Sequence, residues 1–281
     1  MILTLSIFIT VLFAALLHAG WNVIVKSNAD RLVSLTVLQT FMAAMGLGMV
    51  LVFGFPGHHV WPWALASGVL HLGYNLFLVR AYRHADLSVV YPIARGAAPL
   101  MTLLGSYFMT QDNVGLMMAA AVIVLVAGLM LTGLGKASVN ADPHAVYYAL
   151  GTACWIAAYT LVDGIGARHS GNALGFAGVI FAFDGLFIFA AALGLRGKTL
   201  IHGFAANWQT GLIGGAASCA AYAIAVWAMT KAPIASVAAL RETSIVFVLF
   251  LSARILKESL GWQRVLGGVL IVAGASLLRF A

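Results

Sequence analysis

Charged residues are scarce in this chain. Asp, Glu, Lys and Arg make up 8% of its 281 residues, whereas 63% are hydrophobic and the mean hydropathy is +1.02. A soluble domain with so few charges could not cover its own surface. Apolar runs of about 18 residues or more recur along the whole chain, as they do in proteins that cross a membrane. The sequence therefore predicts an all-α integral membrane protein.

Cysteines and catalytic motifs are also sparse. The two cysteines, Cys154 and Cys219, lie in apolar runs, where a thiol usually acts as a small hydrophobic group. We expect no disulfide, metal site or cofactor. The chain has neither H-E-x-x-H nor G-x-S-x-G, so an intramembrane enzyme is a weaker alternative, as is a purely structural role. The net charge of +7 comes from basic residues scattered at helix ends, which argues against nucleic-acid binding.

Gly, Pro, Asn, Asp and charged residues divide the chain into ten apolar segments, each about 20 residues long as a membrane span requires. The segments cover residues 3–25, 33–54, 61–81, 87–109, 114–135, 144–166, 173–195, 208–230, 233–255 and 260–279. The connections are too short for an extramembrane domain, so the function must lie within the helix bundle. No basic residue precedes the first segment and no cleavage-like site follows it, so we expect it to remain as a helix.

The basic residues predict the orientation. With the N-terminus outside, the cytoplasmic connections hold nine of them and the opposite connections hold three, as the positive-inside rule favours. The nine are Lys26, Arg31, Arg80, Arg83, Lys136, Arg196, Lys198, Lys257 and Arg264, and the three are Arg168, Lys231 and Arg279. Both termini are therefore predicted outside the cell (inner) membrane.

The two halves of the chain resemble each other. "DNVGLMMAAAVIVLVAG" from Asp112 is similar to "ESLGWQRVLGGVLIVAG" from Glu258, and at the same offset Arg95 falls on Arg241. We predict one repeat over residues 1–139 and another over 140–281. Because five helices is an odd number, the second repeat must be inverted relative to the first. Inverted repeats are typical of secondary transporters, whose binding sites lie near the membrane midplane.

These features together resemble the EamA branch of the drug/metabolite transporter superfamily. The similarity rests on the ten segments, "HAGWN" in the first, the acid-x-x-Gly start of the fifth and tenth, and their closing "VAG". It implies a central cavity lined by segments 1, 3, 4, 6, 8 and 9, and alternating access for a small metabolite. The "ALRETS" stretch and the chain length also resemble EamA-like proteins associated with phosphonate use.

Polar and aromatic residues recur at spacings of four in four segments, so each set shares one helix face. The sets are His18 and Asn22; His71 and Asn75, with Tyr74 beside them; Tyr91, Arg95 and Pro99; and Trp155, Tyr159 and Asp163. Lipid does not tolerate such faces, so we expect them to point inward. One interpretation is hydrogen bonding between helices, at ~0.6–2 kcal/mol each. The other, which we favour, is a substrate cavity walled by these residues together with Trp21 and Tyr222.

Two arginines lie deep in apolar segments. Arg95 is about 12 Å from one membrane boundary and Arg241 a similar distance from the other, so their α-carbons are expected roughly 6 Å apart along the membrane normal. Each costs about 2.5–3.5 kcal/mol there and needs a partner. Glu242, Asp163 and Asp184 are the candidates, and a partner on another helix is expected. The arginines either form structural ion pairs or bind an anionic group of the substrate through two parallel hydrogen bonds.

The same carboxylates are candidates for proton coupling. Glu242 is the first choice, Asp184 the second because helix 7 is peripheral in the family, and Asp163 is expected to meet water near the end of its helix. Pro92 and Pro99 bracket Arg95 and predict a kinked, moving gate. We predict a secondary transporter of a small anionic or zwitterionic metabolite, such as an amino acid or aminophosphonate, that is coupled to protons. An exporter of amino acids or drugs is the alternative, and a homodimer is left open.

Overall fold

A computed structural model describes residues 3–25, 31–85, 87–133, 142–255 and 261–281. Every regular element in these ranges is helical. The α-helices are α1 (Leu5–Val25), α2 (Arg31–Phe53), α3 (Trp61–His84), α4 (Leu87–Met109), α5 (Leu116–Gly133), α6 (Pro143–Ser170), α7 (Ala173–Arg196), α8 (Lys198–Met229), α9 (Ile234–Arg241), α10 (Ser244–Ile255) and α11 (Trp262–Leu278). A single 3₁₀ turn, His58–Val60, precedes α3. The all-α membrane fold is thereby confirmed.

The helices have the length and polarity of membrane spans. Within the described ranges, seven spans are long and apolar enough to cross a bilayer, and α1 and α11 contain shorter apolar stretches. α4 is not among the seven, and Arg95, Pro92 and Pro99 all lower its hydropathy. Large apolar side chains also cover the outside of the bundle, such as Leu51, which is 86% exposed, and such a surface suits lipid rather than water.

The predicted ninth segment is two helices rather than one. α9 ends at Arg241, and α10 begins at Ser244 after a turn over Glu242 and Thr243. The amides of Glu242 and Thr243 donate to carbonyls only three residues back, and the Thr243 hydroxyl donates to the Leu240 carbonyl at 2.7 Å. This hydroxyl competes with the regular helical bond and loosens the helix at that point. Discontinuous helices of this kind commonly carry the binding sites of transporters.

The two halves of the chain interdigitate. α1 packs on α8 and α3 packs on α6, while α2 packs on α7 and α5 on α11. If each helix is replaced by its counterpart in the other half, the α1–α8 pair becomes the α6–α3 pair. The α2–α7 and α5–α11 pairs remain the same. This pairing is the one that two related five-helix halves would give. The division at residues 139 and 140 stays a prediction.

Glycines bring the self-paired helices into backbone contact. In α5 and α11, a Cβ added at Gly128 would lie 2.6 Å from the Gly267 carbonyl oxygen, and one at Gly267 would lie 2.6 Å from the Gly128 carbonyl oxygen. Gly46 of α2 and Gly178 of α7 show the same reciprocal contact. Small residues at these crossings allow the close helix contact that replaces the hydrophobic effect inside a membrane. These two crossings hold the α5–α11 and α2–α7 pairs together. α4, α6 and α9 pack on one another between these pairs.

Candidate substrate-binding site

α4, α6 and α9 enclose a small cavity beside the break in the ninth segment. Two guanidinium groups and one carboxylate lie in its wall, those of Arg95, Arg241 and Glu242. The Tyr159 ring and Pro99 lie beside them. The cavity holds about 10 Å³, room for about one water molecule. The structure therefore brings both predicted arginines to one site and closes the bundle around them.

Arg95 and Glu242 form a buried ion pair. The Arg95 Nε and Glu242 Oε2 atoms are 2.9 Å apart, and the two side chains are 10% and 6% exposed. The Nε–H does not point directly at the oxygen, so charge rather than a well-aligned hydrogen bond holds the pair. The sequence makes Glu242 one candidate partner for Arg241 but favours partners on another helix, and Glu242 pairs with Arg95 of α4. Consecutive side chains of a helix point in different directions, and Glu242 faces α4 instead.

Arg241 contacts an aromatic ring instead of a carboxylate. Its Cζ atom lies 4.7 Å from the centroid of the Tyr222 ring, which is the geometry of a cation–π interaction. Among the described residues, no carboxylate oxygen lies within 4.0 Å of this guanidinium. The positive charge in the cavity wall is therefore not balanced by a direct ionic partner.

α1 reaches the site through His18. The His18 Nε2 and Arg95 Nη2 atoms are 3.5 Å apart, and the edge of the Trp21 ring contacts the His18 ring at a centroid distance of 5.2 Å. Trp21 thus lies behind His18 and not in the cavity wall. The side chain of Asn22 lies outside the described part of the chain.

The predicted residues of α3 and α6 lie at different distances from the cavity. The Tyr74 ring contacts Tyr159 edge-on at 5.8 Å. Asn75 donates to the His71 carbonyl of its own helix at 2.9 Å, so this bond does not link helices, and contrary to our expectation Asn75 is not in the cavity wall. Trp155 is not in the wall, because its ring packs on Phe77, with the centroids 5.8 Å apart. Trp155 and Tyr159 were predicted to share a helix face that lines the cavity, but only Tyr159 lines it.

Tyr91 and the two prolines accompany Arg95 on α4. The Tyr91 ring centroid lies 5.8 Å from the Arg95 Cζ. α4 continues without a break through both prolines. Pro99 lies in the cavity wall, whereas the Pro92 ring packs directly on Gly133 of α5, where a Cβ would overlap it. The gating role of Pro92 and Pro99 stays a prediction.

A second polar cluster lies beside the cavity. The Tyr222 hydroxyl donates to Asp163 Oδ2, and His71 Nδ1 lies 3.4 Å from Asp184 Oδ1. Asp163 is 0% exposed, so the expectation that it meets water is wrong. The Asp184 side chain extends from α7 to His71 of α3. α7 is therefore not peripheral beside this polar cluster. His71, the partner of Asp184, belongs to the polar face predicted for α3, whereas Ser67, one turn before it, was not predicted, although Ser67, His71 and Asn75 recur at spacings of four.

Comparisons with known proteins match this architecture. Residues 144–280 match the EamA-like transporter family. The second half of the chain is therefore an EamA-like transporter domain. This domain and the apolar helices make the chain a multi-pass membrane protein.

The fold is also that of a solved structure. The chain superposes on a protein crystal structure with a TM-score of 0.75 over 97% of both chains, at 18% sequence identity. This likeness concerns the fold alone. No curated protein sequence matches the chain.

Fewer helices line the cavity than the family resemblance implies. We expected six segments to line it, and α4, α6 and α9 do so. α1, α3 and α8 lie one layer behind, through His18, Tyr74 and Tyr222. Separating α1 or α3 from the α4–α6–α9 core would widen the cavity and expose these side chains to it.

Proposed function

We propose that this EamA-type protein is a secondary transporter of a small anionic or zwitterionic metabolite, which binds at Arg241 and Arg95 and crosses by alternating access. The observation that carries the proposal is the half-buried Arg241 in the cavity wall, which has a tyrosine ring against it and no carboxylate of the described residues within 4.0 Å. A guanidinium in a membrane is costly, and an anionic substrate offsets that cost. The substrate therefore takes the position that a structural carboxylate would otherwise fill.

The chemistry of guanidinium narrows the substrate class. Its planar fork donates two parallel hydrogen bonds to a carboxylate or a phosphonate, which makes such anions better ligands than monatomic ones. An amino acid or an aminophosphonate carries the required group. The closed cavity has room for about one water molecule, so the helices must separate before either compound can bind.

Glu242 provides a carboxylate that binds the ammonium group of a zwitterion. Its carboxylate is held by Arg95 at 2.9 Å without a well-aligned hydrogen bond. A substrate anion that bridges both arginines competes with Glu242 for Arg95, and the released carboxylate then faces the ammonium group. The Tyr159 ring in the same wall adds a cation–π surface. Substrate binding thus replaces the Arg95–Glu242 ion pair by contacts of the anion with both arginines and of the ammonium group with Glu242.

Ligand screening and counterflow test this function. The purified protein is heated with amino acids, aminoethylphosphonate, quaternary amines and nucleosides, and ligands that raise the unfolding temperature are carried forward. Labelled ligand is then added outside liposomes that contain the protein and an excess of unlabelled ligand. A transporter accumulates the label transiently, whether it imports or exports in the cell. Stabilisation by cations alone, or the absence of counterflow with every stabilising ligand, contradicts the proposal.

A further inference from the structure

Four helices bury a carboxylate cluster next to the cavity. We use this name for Asp163 of α6, Asp184 of α7 and His71 of α3, with Tyr222 of α8 bound to Asp163. Asp163, Asp184 and His71 are 0%, 5% and 8% exposed. Nothing in the proposed recognition of the substrate uses the two aspartates.

The two aspartates are incompletely satisfied. The Oδ1 atom of each is buried without a hydrogen-bond partner. Among the described residues, no lysine or arginine nitrogen lies within 4.0 Å of either carboxylate. Two ionised carboxylates buried side by side with one histidine and no ionic partner are strongly disfavoured. A proton shared within the cluster removes one of the charges and gives an unsatisfied oxygen a hydrogen to donate.

We propose that the carboxylate cluster is the proton-binding site of the transport cycle, and that Tyr222 couples it to Arg241 so that the substrate anion and a proton bind together. This inference rests on the proposed function, because it assigns the driving ion of the same transporter. It places the coupling proton on the Asp163 and Asp184 pair, and not on Glu242. Glu242 already pairs with Arg95, whereas among the described residues no lysine or arginine nitrogen lies within 4.0 Å of either aspartate.

His71 shows how the cluster holds its protons. The His71 Nδ1 atom lies 3.1 Å from the Ser67 carbonyl oxygen and 3.4 Å from Asp184 Oδ1. A carbonyl oxygen only accepts, so the hydrogen-bond network assigns a proton to Nδ1. The His71 ring also stacks on Tyr159, with the ring centroids 3.9 Å apart. Because Tyr159 lies in the cavity wall, the histidine joins the cluster to the substrate site.

Tyr222 is the second connection. One face of its ring carries the Arg241 guanidinium, and its hydroxyl donates to Asp163. The charge of Arg241 therefore stabilises the ionised form of the nearby carboxylate. When a substrate anion neutralises Arg241, this stabilisation weakens and the cluster takes up a proton. Linkage is reciprocal, so protonation of the cluster strengthens anion binding by the same factor.

The titratable groups around the cluster are few. α3 contributes His71, α6 contributes Asp163 and Tyr159, α7 contributes Asp184, and α8 contributes Tyr222. A turn before Tyr222 on α8, the Cys219 thiol contacts the Met49 sulfur at 3.6 Å. α9 adds the charge of Arg241, and α2 has no titratable residue after Arg31 at its start. The Asp163 and Asp184 pair therefore dominates any titration in this region.

Infrared spectroscopy tests the proton site without a substrate. The full-length protein in lipid nanodiscs is measured near neutral pH in H₂O and D₂O, and the carbonyl stretch of protonated carboxyl groups is followed. We expect a band in the wild type that weakens in both Asp163→Asn and Asp184→Asn and persists in Glu242→Gln. A wild type without the band overturns the proposal, and so does a band that only Glu242→Gln removes. The wild-type result stands even if one variant fails to fold.

Proton uptake on binding tests the coupling. Aminoethylphosphonate is added to the purified protein in weakly buffered solution that contains a pH-sensitive dye. We expect the uptake of about one proton per bound anion, and its loss in Asp184→Asn. Tyr222→Phe keeps the ring under Arg241 and removes the hydroxyl, so it should still bind the anion with reduced proton uptake. Proton release, or binding without proton exchange in the wild type, overturns the coupling.

The two proposals fail in different ways. If neither aminoethylphosphonate nor any amino acid binds, the substrate class is wrong, while the infrared band still reports on the cluster. If counterflow is normal in Asp163→Asn and Asp184→Asn and a pH gradient still drives uptake in both, the transport function stands and the proton site is wrong. Counterflow that survives while gradient-driven uptake is lost supports both.

Discussion

Arg95 on α4 and Glu242 at the break between α9 and α10 are joined by an ion pair that links the two halves of the chain across the cavity. The break leaves Glu242 at the end of α9, where its side chain is not confined to the regular face of a continuous helix. A partner that can be exchanged at a helix break is suited to a site that must open and close.

Removing the Glu242 charge should destabilise the protein. Glu242→Gln leaves Arg95 buried without its ionic partner, which costs about 3–5 kcal/mol when the geometry cannot relax. We expect a clearly lower unfolding temperature for the purified protein, followed by tryptophan fluorescence. The chain contains seven tryptophans, so this signal reports on most of the bundle.

The matched control is the double variant Arg95→Gln with Glu242→Gln, which removes both charges. It should be more stable than Glu242→Gln alone, because no unpaired charge remains. If the losses from Arg95→Gln and Glu242→Gln simply add in the double variant, the two side chains are not coupled and the ion pair has no energetic role.

Arg241 should behave in the opposite way. Since no carboxylate of the described residues lies within 4.0 Å of Arg241, Arg241→Gln should leave the unfolding temperature of the unliganded protein unchanged or slightly raised. The stabilisation by a bound anion should disappear. Arg241→Lys keeps the charge but lacks the planar fork, so we expect it to weaken anion binding about tenfold, or about 1.4 kcal/mol.

Arg83→Gln is the control for this experiment, because Arg83 is exposed at the end of α3. Its anion binding should equal that of the wild type. Wild-type anion affinity in Arg241→Gln would show that the substrate does not bind at this guanidinium.

More of the fold than of the site could be predicted from the sequence. The ten segments follow from apolar length alone, and the inward position of the two arginines follows from the cost of exposing them to lipid. The break at Glu242 and Thr243 could not be predicted in this way, because no proline or glycine marks it. It depends on the Thr243 hydroxyl, which bonds the Leu240 carbonyl only once the surrounding helices bury both.

Partners across helices were the hardest part to predict. Spacing assigns Arg95, Asp163 and His71 to faces, but it does not say which face of another helix each one meets. Asp184 reaches His71 because α7 packs on α3, and Glu242 reaches Arg95 because α9 packs on α4. These contacts depend on the packing of the whole bundle, and a single sequence contains no direct record of it.

The crossing of α5 and α11 gives a stability prediction with an adjacent control. In Gly267→Ala, the new Cβ would lie 2.6 Å from the Gly128 carbonyl oxygen, so the helices must separate, at a cost of about 1–3 kcal/mol. A Cβ at the next residue, Gly268, meets nothing within 4 Å. Gly268→Ala should therefore be neutral or stabilising by about 0.5–1 kcal/mol, since alanine favours the helix. Equal unfolding temperatures for the two variants would contradict the close crossing.

A second ion pair lies at the far end of the helices that form the cavity. Arg168, near the end of α6, donates to Asp112 Oδ2 at 3.0 Å and to the Met229 and Ala232 carbonyls. The same Asp112 oxygen accepts the backbone N–H of Ile234 at 3.0 Å, at the first residue of α9. One carboxylate therefore ties the α4–α5 connection to both α6 and α9. Alternating access requires this end of the bundle to separate when the cavity opens towards it.

Breaking this contact should open the cavity from the Arg168 side. A hydrogen bond to a charged group contributes about 1.5–3 kcal/mol, so Arg168→Ala should favour the open form about tenfold or more. The measurement is the labelling rate of Thr160→Cys by a membrane-impermeant maleimide, with Cys154 and Cys219 replaced by alanine. Thr160 lies in the cavity wall on α6 and is 2% exposed, so labelling reports opening. Asp112→Asn should accelerate labelling in the same way, and Arg83→Gln should not. An unchanged rate in both Arg168→Ala and Asp112→Asn would mean that this ion pair supports the fold without closing the cavity.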